Sequence, residues 1–168
     1  MKKAFFFLLI ILFVSFSCKE SNGGLKKEEN GGDNVYSVDG DDEQMNSAIE
    51  KAVKSYDEFL RKFDNPDGNS SDFSVKMMFS YADGNEHMWL NDLFRKEYKL
   101  YGVLDSDPIT VTSVKAGDTV AIAKEKISDW MYLRNDTLVG GYTIRALYNK
   151  MSEKEKIKFK NETGFVID

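Results

Sequence analysis

Between residues 45 and 63 apolar side chains recur at steps of three and four. Met45, Ala48, Ile49, Ala52, Val53, Tyr56, Phe59, Leu60 and Phe63 fall on one side of a helical wheel, while Glu50, Lys51, Lys54, Asp57, Glu58, Arg61 and Lys62 fall on the other. This period is that of an amphipathic helix with one buried face. Asp41 or Asp42 supplies its N-cap, placing negative charge at the positive helix end, and "DNPDG" after Phe63 stops it.

The period then drops to two. Phe73, Val75, Met77, Phe79 and Tyr81 alternate with Ser74, Lys76, Met78 and Ser80, which predicts a strand with one buried face. "ADGN" closes a turn, and "EHMWLNDL" and "YKLYGVL" predict further antiparallel strands. "DSDP" interrupts the chain before Ile109 and Val111, and "KAGD" turns it into the apolar stretch "TVAIA". "ISDWMYL" is the next strand, turned by Arg134, Asn135 and Asp136 towards "LVGG". After Gly141, Ile144, Leu147, Tyr148 and Met151 keep helical spacing, and Ser152 with Glu155 has the form of a capping box opening a last short helix. The expected fold is α+β: an N-terminal amphipathic helix packed on a curved antiparallel sheet of about five to six strands, with short C-terminal helices.

Ahead of this domain the pattern is different in kind. Lys2 and Lys3 precede an apolar run from Ala4 to Val14, then Ser15, Phe16, Ser17 and the chain's single cysteine, Cys18. A basic start, a short apolar run and small residues form a secretory signal, too short to span a bilayer comfortably. One cysteine in an exported chain makes no internal disulfide. The arrangement resembles the bacterial lipoprotein signal, although Ser15 stands where that signal favours leucine. The resemblance implies cleavage before Cys18 and acylation of its sulfur, since several acyl chains anchor stably where one is marginal. Residues 18–42, rich in Gly, Asn, Asp, Glu and Lys, are expected to form a flexible tether spanning on the order of 25 to 30 Å. The expected division is signal peptide at 1–17, lipidated tether at 18–42 and one domain at 43–168. "CKES" carries no aspartate next to the cysteine, which favours an outer-membrane anchor facing the periplasm.

Charge narrows the classes of partner. The chain carries 23 basic and 28 acidic residues, and loss of Lys2 and Lys3 with the signal moves the net charge from −5 to −7. This lacks the basic footprint of a nucleic-acid binder. "KEKIKFK" is interleaved with acids and fits a solvated helix face.

Candidate chemistry is sparse. His87 is the sole histidine, and with Cys18 lipidated no zinc ligand set can be assembled, so no metal or other cofactor is expected. Glu86 and His87 are acid–base types, but as strand neighbours they point to opposite faces. "DNPDGNSSD" departs from the EF-hand spacing, and no nucleophile-elbow pattern surrounds any serine. Trp89 and Trp130 are either partner-facing aromatics or core residues. Asp129 is placed to accept from an indole N–H or from backbone amides at the strand end. Gly140 and Gly141 ahead of a helix, with Arg145 one turn inside, offer donors to a small anion, against the plainer reading of a sharp corner at positive φ.

The succession "VKMMF", "DGNEHMWL", "YGVLDSDP", "VKAGDTV", "ISDWMY" and "GGYTIRAL" resembles the bacterial family catalogued as domain of unknown function 2314, over about Ala48 to Leu147. The resemblance implies a compact α+β domain and brings no established activity with it. The resulting expectation is a lipid-anchored, non-enzymatic binding module of the bacterial envelope, of inhibitor- or immunity-like type, meeting a protein partner near the membrane. The alternative is an envelope hydrolase or small-ligand enzyme using Glu86, His87, Asp129 and Arg145.

Overall fold

The computed structural model describes residues 26–30, 33–37 and 42–168. The expected signal peptide, Cys18 and Asp41 lie outside the described residues. Where a tether is expected, β1 (Lys26–Asn30) and β2 (Asp33–Ser37) pair as an antiparallel hairpin, separate from the main sheet.

α1 (Glu43–Asp64) carries the helical period read above. Its N-cap is Asp42, whose side chain accepts from the Met45 N–H at 2.9 Å. β3 (Ser70–Tyr81), β4 (Gly84–Lys96), β5 (Lys99–Leu104), β6 (Thr119–Ala121), β7 (Ile127–Arg134) and β8 (Thr137–Gly140) form one sheet. Its order is β6-β5-β4-β3-β7-β8, and every pair is antiparallel. α2 (Tyr142–Lys150) and α3 (Glu153–Thr163) close the chain, the latter with the Ser152–Glu155 capping box in place. The α+β expectation holds, with six strands in the sheet.

α1 lies across β7. Ala52, Tyr56 and Phe59 pack on Val75, Ile127, Trp130 and Tyr132, and the Phe59 and Trp130 rings stand 5.3 Å apart. Burial of these large rings supplies much of the driving force for folding. A second cluster, Met77, Phe79, Met88, Leu90, Leu104 and Val111, fills the β3–β5 side. The segment 105–118 between β5 and β6 is irregular, and Val111 anchors it in this cluster. β3 is interrupted against β7, and β4 against β5, by register shifts at which Asp72 and Asp92 take positive φ (54° and 46°). Such bulges increase local twist.

Candidate functional site

Register assembles the residues that the sequence leaves scattered. Lys76 on β3 stands opposite Trp89 on β4 and opposite Asp129 on β7, while Met78 stands opposite His87. Directly opposed residues of antiparallel strands point to the same side. His87, Trp89 and Asp129 therefore gather around Lys76, on the face away from the Val75–Trp130 core. The Lys76 ammonium sits 5.7 Å from the centroid of the Trp89 ring, within cation–π range. Lys76 is the residue the sequence does not single out: as a lone polar position in an alternating strand, it reads as an ordinary solvent-facing lysine.

Polarity across this row is graded. Asp129 is fully buried at 0 % exposure, Lys76 and Trp89 are half-buried, and His87 keeps much of its surface in solvent. Burial depresses the Lys76 ammonium below its ordinary value, with the Asp129 charge pulling the other way. The His87 imidazole is also lowered, first by the water that surrounding atoms displace and then by the Lys76 charge. Burial pushes the Asp129 carboxyl up, while hydrogen bonds from Thr143 and Trp130 and the charge of Lys76 oppose the shift.

Asp129 is committed to the fold. Its Oδ1 accepts from the backbone N–H groups of Trp130 (2.8 Å) and Tyr142 (3.1 Å), and its Oδ2 from the N–H (2.7 Å) and hydroxyl (2.6 Å) of Thr143. It caps α2 from a different strand, in place of the N-cap residue Gly141, which has no side chain to do so. Trp130 is core, 4 % exposed, and its indole N–H donates to the Ala52 carbonyl at 2.9 Å. Of the two readings open for Trp130, partner-facing ring or core residue, the structure selects the core and sets aside the partner contact: β7 turns it under α1.

The double-glycine corner is likewise occupied. Gly140 (φ 72°) and Gly141 (φ 58°) both need the left-handed region, and a Cβ at Gly140 would meet the Trp130 carbonyl oxygen at 2.4 Å. Gly141 donates its N–H to that carbonyl at 2.8 Å. Arg145 donates to the carbonyls of Gly140, Leu138 and Asp168 and to the Asp168 carboxylate. The donors offered to an anion from sequence are thus engaged within the protein, and the corner works as a structural joint.

Glu86 also serves backbone. Its carboxylate accepts from the N–H groups of Ile109 (2.7 Å), Thr110 (3.1 Å) and Val111 (3.2 Å), tying the irregular segment after β5 to β4. It does not meet His87, which lies on the other face. Among the described residues no group of three His, Cys, Asp or Glu side chains is arranged to hold a metal ion. Two open recesses, of about 540 Å³ beside Arg145 and Tyr142 and about 750 Å³ beside the Asp72 and Asp92 bulges, include neither His87 nor Trp89.

The chain is similar to two curated bacterial proteins. One, from Neisseria meningitidis, is named as a "putative ankyrin repeat protein"; it is 34 % identical over 130 residues, covering 73 % of this chain and 51 % of that protein. The other is the uncharacterized protein YegJ of Escherichia coli, 39 % identical over 107 residues, covering 64 % of this chain and 69 % of its own length. The chain therefore spans about half of the first relative and about two thirds of the second. No solved structure matches it. The family model for an uncharacterized protein conserved in bacteria, domain of unknown function 2314, matches residues 42–167, the whole of the helix-and-sheet domain, and the chain belongs to that family.

Proposed function

We propose that this protein is a lipid-anchored, non-enzymatic interaction module of the bacterial envelope, and that it meets a protein partner through the sheet face around Trp89 and His87. The observation that carries the reading is the commitment of the polar residues an enzyme would use. Glu86 holds three backbone amides, Asp129 caps α2, and Arg145 is taken up by carbonyls and a carboxylate. His87 is left with a lysine as its charged neighbour rather than with an acid positioned to share a proton. The half-buried Trp89, backed by Lys76 and flanked by Met78 and His87, is an aromatic anchor of the kind that dominates protein interfaces.

Acylation of Cys18 would hold this surface at the envelope, on the outer membrane facing the periplasm. Cys18→Ala is expected to release the protein from the membrane fraction. The interaction itself is tested by affinity capture from envelope extracts with the acylated chain and its Trp89→Ala and His87→Ala variants. A hot-spot role predicts a loss of about 30-fold or more in partner retention for Trp89→Ala, with the melting temperature near wild type. Undiminished capture by a folded Trp89→Ala protein, or a hydrolytic activity lost on His87→Ala, would overturn the proposal.

A further inference from the structure

We propose that the tip of the β4–β5 hairpin is a contact site for anionic lipid headgroups, and that it orients the domain on the membrane that holds it. The inference rests on the envelope reading above for its setting and on separate residues for its evidence. The two strands are joined through Glu97 and Tyr98, with Lys96 and Lys99 directly opposite each other at the strand ends. Tyr98 is 100 % exposed and Phe94 40 %, with the Phe94 ring stacked on Tyr101 at 5.6 Å. An apolar ring with a polar tip is the side chain favoured at a membrane–water boundary.

Like charges placed directly opposite across a strand pair destabilise it. Neither Lys96 nor Lys99 has an ion-pair partner among the described residues, although acidic residues outnumber basic ones in the chain. An anionic surface removes that repulsion. The hairpin is also held in place one pair behind its tip: Arg95, opposite Leu100, makes a bidentate pair with Asp64 at the end of α1, at 2.6 and 2.8 Å. The tip is a braced projection, with a fixed direction relative to the core.

A lipid surface fits this feature better than a protein does. One hairpin tip offers far less than the roughly 800 Å² per partner of a stable protein interface. A contact that supplements an anchor on the same chain acts at high effective concentration and needs no such area. The other end of β4 supports the same orientation. Its turn at Ala82, Asp83 and Gly84 has no basic residue, and it lies about 40 Å away along a 13-residue strand. Trp89 lies about 23 Å along β4 from Lys96, so the two surfaces are separate.

The test uses the chain from residue 18 to 168 carrying Cys18→Ser, so that neither the signal segment nor an acyl group is present, with an environment-sensitive fluorophore attached to Tyr98→Cys or, as control, to Ala82→Cys. Vesicles of phosphatidylcholine with phosphatidylglycerol are compared with phosphatidylcholine alone. A blue shift is expected at position 98 only, and with the anionic vesicles only. Adding Lys96→Gln and Lys99→Gln is expected to weaken that response by about 30-fold, about five-fold for each lysine, with the melting temperature unchanged or raised. Absence of the shift, an equal shift on neutral vesicles or at position 82, or an unchanged response in the double variant would each overturn the proposal. Anchoring at Cys18 is judged separately by membrane fractionation, so one reading fails without the other.

Discussion

Thr143 donates both its backbone N–H and its hydroxyl to a single oxygen of Asp129, at 2.7 and 2.6 Å, across 14 residues of sequence. Both residues are sealed from solvent, Thr143 at 1 % and Asp129 at 0 % exposure. Removing the carboxylate strands the buried amides of Trp130 and Thr143 and the part-buried amide of Tyr142. Each unsatisfied buried group costs roughly 1–3 kcal/mol, so Asp129→Ala is expected to lose about 3 kcal/mol or more. Thr143→Val, which keeps the amide donor, is expected to lose about 1 kcal/mol. Urea denaturation of the two variants checks the order, and a wild-type midpoint for Asp129→Ala would refute the capping role.

Two glycines separate the effect of backbone conformation from that of space. Gly117 and Gly140 both have positive φ, 84° and 72°, but a Cβ at Gly117 meets nothing within 4 Å while one at Gly140 strikes the Trp130 carbonyl. Gly117→Ala is expected to cost about 1–2 kcal/mol, the left-handed penalty for a side chain. Gly140→Ala adds the clash, for a total of about 3 kcal/mol or more. Equal melting temperatures for the two variants would show that the corner yields easily.

The Lys96–Lys99 opposition makes a prediction for the free protein. Lys99→Glu converts a repelling cross-strand pair into an attracting one and is expected to stabilise the domain by about 0.2–1 kcal/mol at low salt. The gain shrinks as salt is added. Thermal melts at two ionic strengths measure it, and a destabilised variant would contradict the reading of the hairpin as electrostatically strained.

Acid sensitivity has an identifiable source at Asp67. Hydrogen bonds from Lys62 and then Ser70 hold its carboxyl at about 2, below the ordinary 3.8. The folded state binds this proton less readily than the unfolded one. Its contribution to stability is therefore complete above 3.8 and disappears as the pH falls towards 2. The stability difference between wild type and Asp67→Asn, present at pH 6, is expected to close by pH 2 in a series of denaturant midpoints. The pair is partly exposed, so added salt reduces the difference at every pH.

The corner at Gly140 and Gly141 shows how far local pattern carries. Positive φ, the strand before it and the helix after it are all legible from residue type and spacing, because each depends on a few neighbouring residues. The capping acid is not legible in the same way. Asp129 is more than ten residues upstream, and only the pairing of β7 with β8 brings it to the first turn of α2. Trp130 is the matching case: its type allows surface or core, and the packing of α1 on β7 decides for the core. Glu86 likewise reads as a candidate acid until the chain after β5 folds back onto it.

By itself the sequence determined the order and kind of the main elements from residue 43 onward, the capping box of α3, an aspartate cap for α1 at position 41 or 42, and the family, since periodicity and short-range hydrogen bonding are properties of adjacent residues. Only the tertiary structure decided which polar groups remain available. Lys76, Trp89 and Asp129 lie on three strands, and strand register, a long-range relation, sets them in one row. The same relation places two lysines face to face at the hairpin tip. A charge's role depends on what stands opposite it, and that is settled across the sheet rather than along the chain.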